Sequence, residues 1–206
     1  MIKLKNIKDN ISSYLEFNVD DLLNAGDFVY IFGGAVRDSL ANQEIHDVDV
    51  MVLPNSMKAC INVLTQRGFI RDPDMIKLDL NSMYKKINAI NQPLTFIKIS
   101  NFRIIKVQFI RPRIDKDTKP YNRFFELLNN VDISCCGVSI NSYKLTEHVN
   151  GAITHCFNKV FTVNNNAFML TDRISMRTHK LLKRGWELTK EDNTKDELSC
   201  KQIIDI

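Results

Sequence analysis

A Gly-Gly pair between an apolar segment and a short helical segment constrains this chain more than any other feature. Residues 28–32 are apolar enough to form a short buried strand, Gly33 and Gly34 follow at once, and residues 35–41 have the composition of a short helix. Glycine allows a backbone to approach a ligand closely, and the first amides of a helix have no partners within the helix. We therefore predict a strand, a tight turn and a helix start that can bind phosphate.

Two aspartates one residue apart follow this turn. Asp47 and Asp49 begin a segment, residues 47–53, in which Val48 and Val50 alternate with them. Side chains at i and i+2 of a strand point to the same face, so the carboxylates are predicted to project together while the valines face the core. Two carboxylates this close favour a cation between them, and Mg²⁺ prefers oxygen ligands. A metal-binding carboxylate pair beside a phosphate-binding turn indicates phosphoryl or nucleotidyl transfer.

These two motifs together resemble a known family signature. The run Gly33-Gly34-Ala35-Val36-Arg37-Asp38, followed by Asp47-Val48-Asp49, is similar to the head domain of class II CCA-adding enzymes and bacterial poly(A) polymerases. Both are nucleotidyltransferases of the DNA polymerase β superfamily. The resemblance covers about residues 28–188 and is strongest over residues 30–53. It implies that the glycines hold a nucleoside triphosphate and that the two aspartates bind the catalytic metal.

A third aspartate has more than one possible role. The segment Asn130-Val131-Asp132-Ile133-Ser134-Cys135-Cys136 loosely matches the family's Arg-Arg-Asp-Phe-Thr-x-Asn motif, although the two arginines are missing. By this resemblance Asp132 is a catalytic residue that orients the sugar or completes the metal site. Alternatively, Asp132 pairs with a loop at the start of a strand predicted over residues 132–140. The strand expected to neighbour the first two aspartates, residues 104–110, supplies no acid.

A basic stripe marks the last long predicted helix, residues 173–184. Four cations spaced by four, three and four residues share one face of it: Arg173, Arg177, Lys180 and Arg184. The opposite, buried side is predicted to contain Ile174, Leu181 and Leu182. The stretch resembles the family's arginine-rich helix, which implies nucleotide binding by Arg173, Arg177 and Lys180. The alternative for this stripe is a solvated basic face. The family's base-selecting Glu-Asp-x-x-Arg motif retains only Arg173, since Met169 and Leu170 replace its acids.

Arg37 has three interpretations. It reaches the triphosphate as a nucleotide-binding residue, it pairs with Asp38, or it caps the helix. Asp38 is expected to be structural. His46, directly before the aspartates, is either an acid/base group or a solvent-facing loop residue. We favour the loop position, because attack by a metal-activated hydroxyl needs no histidine.

The rest of the chain predicts an α+β fold. Helices and strands alternate irregularly, and residues 94–110 contain a hairpin turned at Asn101, which favours a mixed sheet flanked by helices. The resemblance implies this nucleotidyltransferase (polymerase β-like) fold with a C-terminal helical segment. We expect one domain, residues 1–206, with a catalytic core at 28–140 and a helical portion at 141–206. A helical lead-in is predicted at residues 1–27 and further helices at about residues 55–67, 121–128 and 149–159. Residues 190–206 are predicted to be a loosely packed helix or a frayed end.

Composition limits the class of protein. A hydrophobic content of 44%, a charged content of 25% and a net charge of +4 are those of an ordinary soluble protein. No apolar run approaches the ~20 residues that span a bilayer, and no signal core is visible, so we expect a cytoplasmic protein without a membrane partner. Five cysteines without a Cys-x-x-Cys pair argue against disulfides and zinc. The Asn/Lys/Ile-rich composition and small size are compatible with a phage source.

Three functional hypotheses follow. The first is an enzyme that uses Mg²⁺, with Mn²⁺ as a possible substitute, to move a nucleoside monophosphate from an NTP onto an RNA 3′ end such as that of tRNA, releasing pyrophosphate. In the second, the acceptor is a protein hydroxyl, as in small toxin-type nucleotidyltransferases. The third is a retired enzyme that binds nucleotide or RNA. The basic helix favours RNA as the acceptor, and the intact Asp47 and Asp49 pair disfavours retirement.

Overall fold

A mixed β-sheet flanked by helices forms the fold, which confirms the predicted class. The computed structural model of the chain describes residues 4–72, 90–112, 120–164, 171–189 and 202–203. Within these ranges no helix has both the length and the hydrophobicity needed to cross a membrane.

Seven α-helices lie in the described ranges. They are α1 (Leu4–Leu15), α2 (Val19–Leu23), α3 (Gly34–Leu40), α4 (Pro54–Gln66), α5 (Pro120–Asn129), α6 (Ala152–Asn158) and α7 (Thr171–Lys183). The apolar spacing predicts α1, since Ile7, Ile11 and Leu15 recur every four residues and all are buried. Pro54 begins α4 because a proline in the first turn loses no helical hydrogen bond.

Ten strands build two sheets. They are β1 (Tyr30–Phe32), β2 (Val48–Met51), β3 (Ile70–Arg71), β4 (Ile90–Ser100), β5 (Arg103–Pro112), β6 (Val138–Ile140), β7 (Leu145–Glu147), β8 (Val160–Phe161), β9 (Glu187–Leu188) and β10 (Gln202–Ile203). Eight of them form the main sheet in the order β10-β7-β6-β1-β2-β5-β4-β3, and β8 pairs with β9. The pairing of β2 with β5 is parallel, whereas the other pairings in the main sheet are antiparallel.

The register of the central strands places three side chains in a row. Asp49 of β2 lies opposite Phe32 of β1 on one side and opposite Gln108 of β5 on the other. Directly opposed residues of neighbouring strands share a face of the sheet. Val48 and Val50 are fully buried on the other face. The alternation predicted for this segment is therefore present, and it separates a polar face from the main core.

The two faces of the sheet carry separate apolar clusters. The larger cluster packs α1, α3 and α4 against one face and includes Val48 and Val50. The smaller cluster lies under α5 on the other face and consists of Met51, Ile110, Phe124 and Leu128, with Phe32 packed beside them. Helix α5 therefore covers one end of the face that carries Asp49.

A β-hairpin forms where the sequence predicts it. Strands β4 and β5 are antiparallel, with Ser100 opposite Arg103. The two turn residues, Asn101 and Phe102, have φ angles of 48° and 61°. Two consecutive positive φ angles are those of a type I′ turn, whose twist matches that of the flanking strands.

One region differs from the prediction, and a second divides into two helices. The strand predicted over residues 132–140 is wrong in its first half, where a 3₁₀ turn, Ser134–Cys136, replaces it and only Val138–Ile140 is extended. The Ser134 hydroxyl accepts the amide of Thr162, and the amide of Gly137 donates to the Ser134 carbonyl, which curls this backbone. The helical lead-in predicted over residues 1–27 consists of two helices, α1 and α2, separated near Glu16, whose φ angle is 61°.

The helical description of residues 141–206 is incomplete. Besides α6 and α7 the segment supplies β7 and β10 to the main sheet and forms the sheet of β8 and β9. Most of the segment 190–206 lies outside the described residues, and Gln202–Ile203 forms a strand. The division into a core and a C-terminal portion stays a prediction.

One buried histidine makes stability depend on pH. His148 follows β7, is 7% exposed, and has its Nε2 atom 2.8 Å from the Ser139 hydroxyl oxygen. The rings of Phe124 and Phe125 lie beside it, with centroids 6.0 Å and 5.6 Å away. Burial, with a smaller contribution from Lys144, lowers the pKa of His148 from 6.5 to about 4. Because the folded protein binds this proton less well than the unfolded chain, stability is lost as pH falls from 6.5 toward 4.

We predict that replacement of His148 by glutamine flattens this pH dependence. Glutamine can keep a hydrogen bond to Ser139 but does not titrate. A shift of this size corresponds to about 3 kcal/mol, so between pH 7 and pH 4 the parent should lose about that much more unfolding free energy than His148→Gln. Urea denaturation at several pH values measures this difference. Parallel curves for the two proteins would contradict the prediction.

Candidate active site

A cavity of about 360 Å³ lies on the polar face of the central strands. Its walls differ in chemistry. One part is acidic and contains Asp47, Asp49 and Asp132. A second part is basic and contains Arg37, Arg177, Lys180 and Arg184. A third part is apolar and contains Phe32, Met51, Ile110, Leu127, Leu128 and Leu181. A cavity of this size is in the range of small-molecule sites, and its wall combines anions, cations and apolar surface.

The first two aspartates line this cavity together. Asp49 lies within β2 and Asp47 immediately before it, so the pleat directs both carboxylates to the cavity side. A Cβ atom on Gly34 would lie 3.8 Å from Oδ1 of Asp47. The carboxylate of Asp47 therefore lies close to the start of α3. Their roles in metal binding stay predictions.

The two glycines differ in what they contribute. Gly33 has φ 68° and ψ −126°, a combination that other residues cannot adopt without strain. Its amide donates to the carbonyl of Val138 at 3.1 Å. The sheet already uses this donor, and the role of Gly33 in holding a triphosphate stays a prediction. Gly33 supplies the turn, and Gly34, the first residue of α3, presents its backbone at the cavity wall.

Gln108 lies beside Asp49, at the position on β5 where a third carboxylate ligand could have been. Gln108 is the parallel-strand partner of Asp49, is buried, and donates from Nε2 to the hydroxyl of Thr95 at 3.1 Å. Among the residues that the structure describes, no group of three or more His, Cys, Asp or Glu side chains could hold a metal ion. The donor set at β2 is thus two carboxylates. Such a pair fits Mg²⁺, which commonly binds through one or two carboxylates and completes its shell with water and phosphate oxygens.

Asp132 is buried and paired. It is 1% exposed, and its Oδ1 atom accepts a hydrogen bond from Nη1 of Arg177 at 2.6 Å. Its Oδ2 atom is also buried and has no hydrogen-bond partner in the described part of the chain. Within the described ranges, the carboxylate of Asp132 thus pairs with helix α7. Because Asp132 also lines the cavity, a role toward the sugar or a metal stays a prediction.

The basic stripe of α7 turns toward the sheet. Arg177 and Lys180 line the cavity, as does Arg184 directly after the helix. A solvated basic face does not describe the two arginines, since each is in an ion pair. The prediction for the buried side holds only in part: Leu181 is buried, whereas Leu182 is 45% exposed. The side chain of Arg173, together with Met169 and Leu170, lies outside what the structure describes.

A second ion-pair network anchors this stripe to α3. The carboxylate of Asp38 accepts Nε of Arg37 at 2.7 Å and Nη1 of Arg184 at 3.1 Å, and Asp38 is 3% exposed. The guanidinium of Arg37 stacks over the ring of Trp186 at 5.6 Å. Burial by itself would lower the pKa of Arg37, but Cys136 and Asp38 raise it above its usual value. Arg37 thus makes the predicted alternative contact with Asp38, and it also reaches the cavity wall.

Sequence reasoning did not identify Cys136 as a residue of the cavity. Cys136 lines it and accepts hydrogen bonds at Sγ from Arg37 and from Arg177, each at 3.3 Å. A signal was present, because Cys136 occupies the last position of the motif that contains Asp132. His46 is exposed in a loop, as expected, and Phe124 and Trp186 are buried.

We predict that Asp38→Asn strongly destabilises the fold. Removal of this charge leaves two largely buried guanidiniums without their carboxylate, a change that typically costs about 3–5 kcal/mol. Asp21→Asn is a matched control, because Asp21 pairs with Arg67 at 2.7 Å but both side chains are substantially exposed. Exposed pairs of this kind contribute less than about 1 kcal/mol. Chemical denaturation of both variants measures the contrast, and equal losses would show that the Asp38 network is not structural.

Comparison with known proteins agrees with this architecture. Residues 29–158 match the family described as Poly A polymerase head domain. No curated protein matches the sequence. A tRNA-processing enzyme in an apo form aligns with 92% of this chain and 45% of its own, with a TM-score of 0.56 and 20% identity. A CCA-adding enzyme in complex with ATP aligns with 91% of this chain and 43% of its own, with a TM-score of 0.59 and 14% identity.

The comparisons establish the fold and the family of this chain. At such identities the two solved structures establish the fold, and this chain spans less than half the length of either. The family match covers most of the chain and contains β1, α3, β2 and Asp132. It therefore confirms the family that the Gly-Gly and Asp-x-Asp motifs resemble. The chain belongs to the Poly A polymerase head domain family of nucleotidyltransferase folds.

Proposed function

We propose that this protein is a Mg²⁺-dependent nucleotidyltransferase that transfers a nucleoside monophosphate from an NTP to the 3′ end of an RNA and releases pyrophosphate. One observation carries the proposal: Asp47, Asp49 and the start of α3 line the same cavity as a wall of cations. Carboxylates that hold a metal and cations that hold phosphate must meet within a few ångströms for this chemistry.

Asp47 and Asp49 would hold the divalent ion, with Mn²⁺ as a possible substitute for Mg²⁺. When bound, such an ion neutralises phosphate charge and favours deprotonation of the attacking hydroxyl. The carboxylates also fix where the reaction occurs, because the pleat of β2 and the buried valines on its other face determine their direction. The role proposed for Asp132 is to orient the ribose through its Oδ2 atom, while Oδ1 stays bonded to Arg177.

We assign phosphate binding to some of the basic residues that line the cavity. Lys180 is exposed on α7, lines the cavity, and has no acidic partner within the described ranges. It is therefore the cation best placed to take a phosphate oxygen, together with the amide of Gly34 at the start of α3. Arg37 and Arg177 already bond to Asp38 and Asp132, so each would contribute only its remaining N–H donors. Arg173 is proposed as a further nucleotide-binding residue.

RNA is the acceptor that the comparisons favour. The similar solved proteins are described as a tRNA-processing enzyme and a CCA-adding enzyme, and the net charge of +4 suits a polyanion. The apolar part of the cavity offers a surface for the base and sugar of a nucleotide. A protein acceptor stays an alternative, and so does a module that binds nucleotide without turnover. The position of Gln108, which bonds to Thr95 where a third carboxylate would stand, favours that last alternative.

One experiment separates the three alternatives. The protein is incubated with each α-labelled NTP, with Mg²⁺ or Mn²⁺, and with total RNA or cell lysate. Label that resists protease but not ribonuclease supports the proposal. Label on protein supports the alternative acceptor. NTP binding without transfer in either mixture supports the retired module and contradicts the enzyme.

We predict that Asp47→Asn and Asp49→Asn each reduce transfer at least about 100-fold, the scale on which loss of one electrostatic group acts in other active sites. Asp27→Asn is the control, because Asp27 is exposed and outside the cavity. Thermal unfolding of all variants shows that the fold persists. Transfer by the double variant at the parental rate would rule out the proposed metal site.

A further inference from the structure

The sulfur of Cys136 lies between two guanidinium groups. Cys136 belongs to the 3₁₀ turn Ser134–Cys136, is 2% exposed, and forms part of the cavity wall. Nη1 of Arg37 and Nη2 of Arg177 each donate to its Sγ atom at 3.3 Å. The two arginines come from α3 and α7, which are far apart in the chain. Their convergence on one sulfur is therefore a feature of the tertiary structure.

Two converging cations favour the ionised form of a thiol. A cysteine beside arginine or lysine loses its proton more readily, and hydrogen bonds to an anion are stronger than those to a neutral acceptor. Asp132 pairs with Arg177, whereas Asp38 pairs with both Arg37 and Arg184. Three guanidiniums of this network therefore share two carboxylates. An anionic sulfur, which accepts hydrogen bonds from Arg37 and Arg177, would balance the one positive charge that is left.

The other buried cysteines have a different environment. Cys135, Arg37 and Arg177 lower the pKa of Cys136 against the opposing effects of burial and Asp132. Burial instead raises the pKa of Cys60 to about 11 and raises the pKa values of Cys135 and Cys156 as well. Of the four cysteines in the described ranges, Cys136 is therefore the one whose pKa is lowered.

We propose that Cys136 is a reactive thiolate in the wall of this cavity, and that small electrophiles, hydroperoxides among them, modify it and thereby prevent nucleotide binding. The reactivity of Cys136 is independent of the function proposed above, whereas the block of nucleotide binding rests on it. Thiolate nucleophiles that react selectively sit in electropositive sites that a small reagent can reach.

The modification chemistry is simple. The thiolate attacks one oxygen of the hydroperoxide, an S–O bond forms as the O–O bond breaks, and the leaving oxygen takes a proton from water. Sulfur is oxidised to a sulfenic acid and the peroxide is reduced to an alcohol or water. With iodoacetamide an S–C bond forms and iodide leaves. Either product removes the negative charge between Arg37 and Arg177 and adds atoms to the cavity.

Peptide-resolved alkylation tests the reactivity. The intact protein is treated with iodoacetamide at pH 6 and at pH 8, and the modification of each cysteine is followed by mass spectrometry. At pH 6 we expect Cys136 to react at least about tenfold faster than Cys60, Cys135 and Cys156, because their thiols are protonated there. A Cys136 rate at or below theirs overturns the proposal. Dimedone trapping after hydrogen peroxide treatment should report the sulfenic acid at the same residue.

Two variants connect the rate to the geometry. Arg177→Gln removes one of the guanidiniums, so alkylation of Cys136 at pH 6 should slow several-fold. The shorter side chain at position 177 does not make Cys136 less accessible. Arg67→Gln is the matched control, because it removes an arginine from a surface pair with Asp21 and should leave the rate unchanged. A loss of rate in both variants, or in neither, overturns the role of the guanidinium.

Nucleotide binding tests the consequence. Saturating ATP or CTP with Mg²⁺ should protect Cys136 from alkylation, and the alkylated protein should bind the nucleotide at least about tenfold more weakly. The Cys136→Ser variant should bind nucleotide with the same affinity before and after treatment with iodoacetamide. Fast alkylation without protection, in a protein that still transfers label from NTP, overturns the block while leaving the proposed function intact. Fast alkylation in a protein that neither binds nor transfers nucleotide instead overturns the proposed function and leaves the reactive thiolate standing.

Discussion

The alternation of β2 determines where the acidic side chains of this site can lie. Val48 and Val50 are fully buried against the helices on one face of the sheet, so Asp47 and Asp49 must point to the other face. A slip of one residue would exchange the two sets and would bury two carboxylates in an apolar core, at a cost far above the stability of a small domain. The hydrophobic core therefore fixes the direction of the carboxylates, although it touches neither of them.

The second wall of the site depends on ion pairs between distant parts of the chain. Arg184 and Trp186 reach α3 and the loop after it: Arg184 bonds to Asp38 and to the carbonyl of Glu44, and the indole of Trp186 donates to Gln43. Arg177 bonds to Asp132, which is 45 residues away. Pairs of this kind gain little net free energy, because both charges lose their water. Their contribution is geometric, since each satisfied pair permits only one placement of α7 on the sheet.

Local rules predict the acidic half of this arrangement and miss most of the basic half. The segments β1, α3 and β2 follow from alternation and turn chemistry within about twenty neighbouring residues of the chain. By contrast, residues 132–140 have the composition of a strand, but the Ser134 hydroxyl accepts the amide of Thr162 and bends them into a 3₁₀ turn. The periodicity of α7 correctly places its cations on one face. It gives no information on what that face meets, because Asp38 and Asp132 become neighbours of the arginines only after the sheet forms.

The charges around the cavity also explain why the arginines do not simply neutralise Asp47. A guanidinium that paired with this carboxylate would compete with a metal ion for the same oxygens. Instead Asp38, Asp132 and the sulfur of Cys136 bind Arg37, Arg177 and Arg184 on the helix side of the cavity. Asp47 forms no ion pair with any residue in the described ranges. Lys180 is an exposed cation of the cavity wall without an acidic partner in those ranges. The arginines are thus bound by internal acceptors and not by Asp47, and a nucleotide with its metal is a ligand whose charges would complement both parts of the wall.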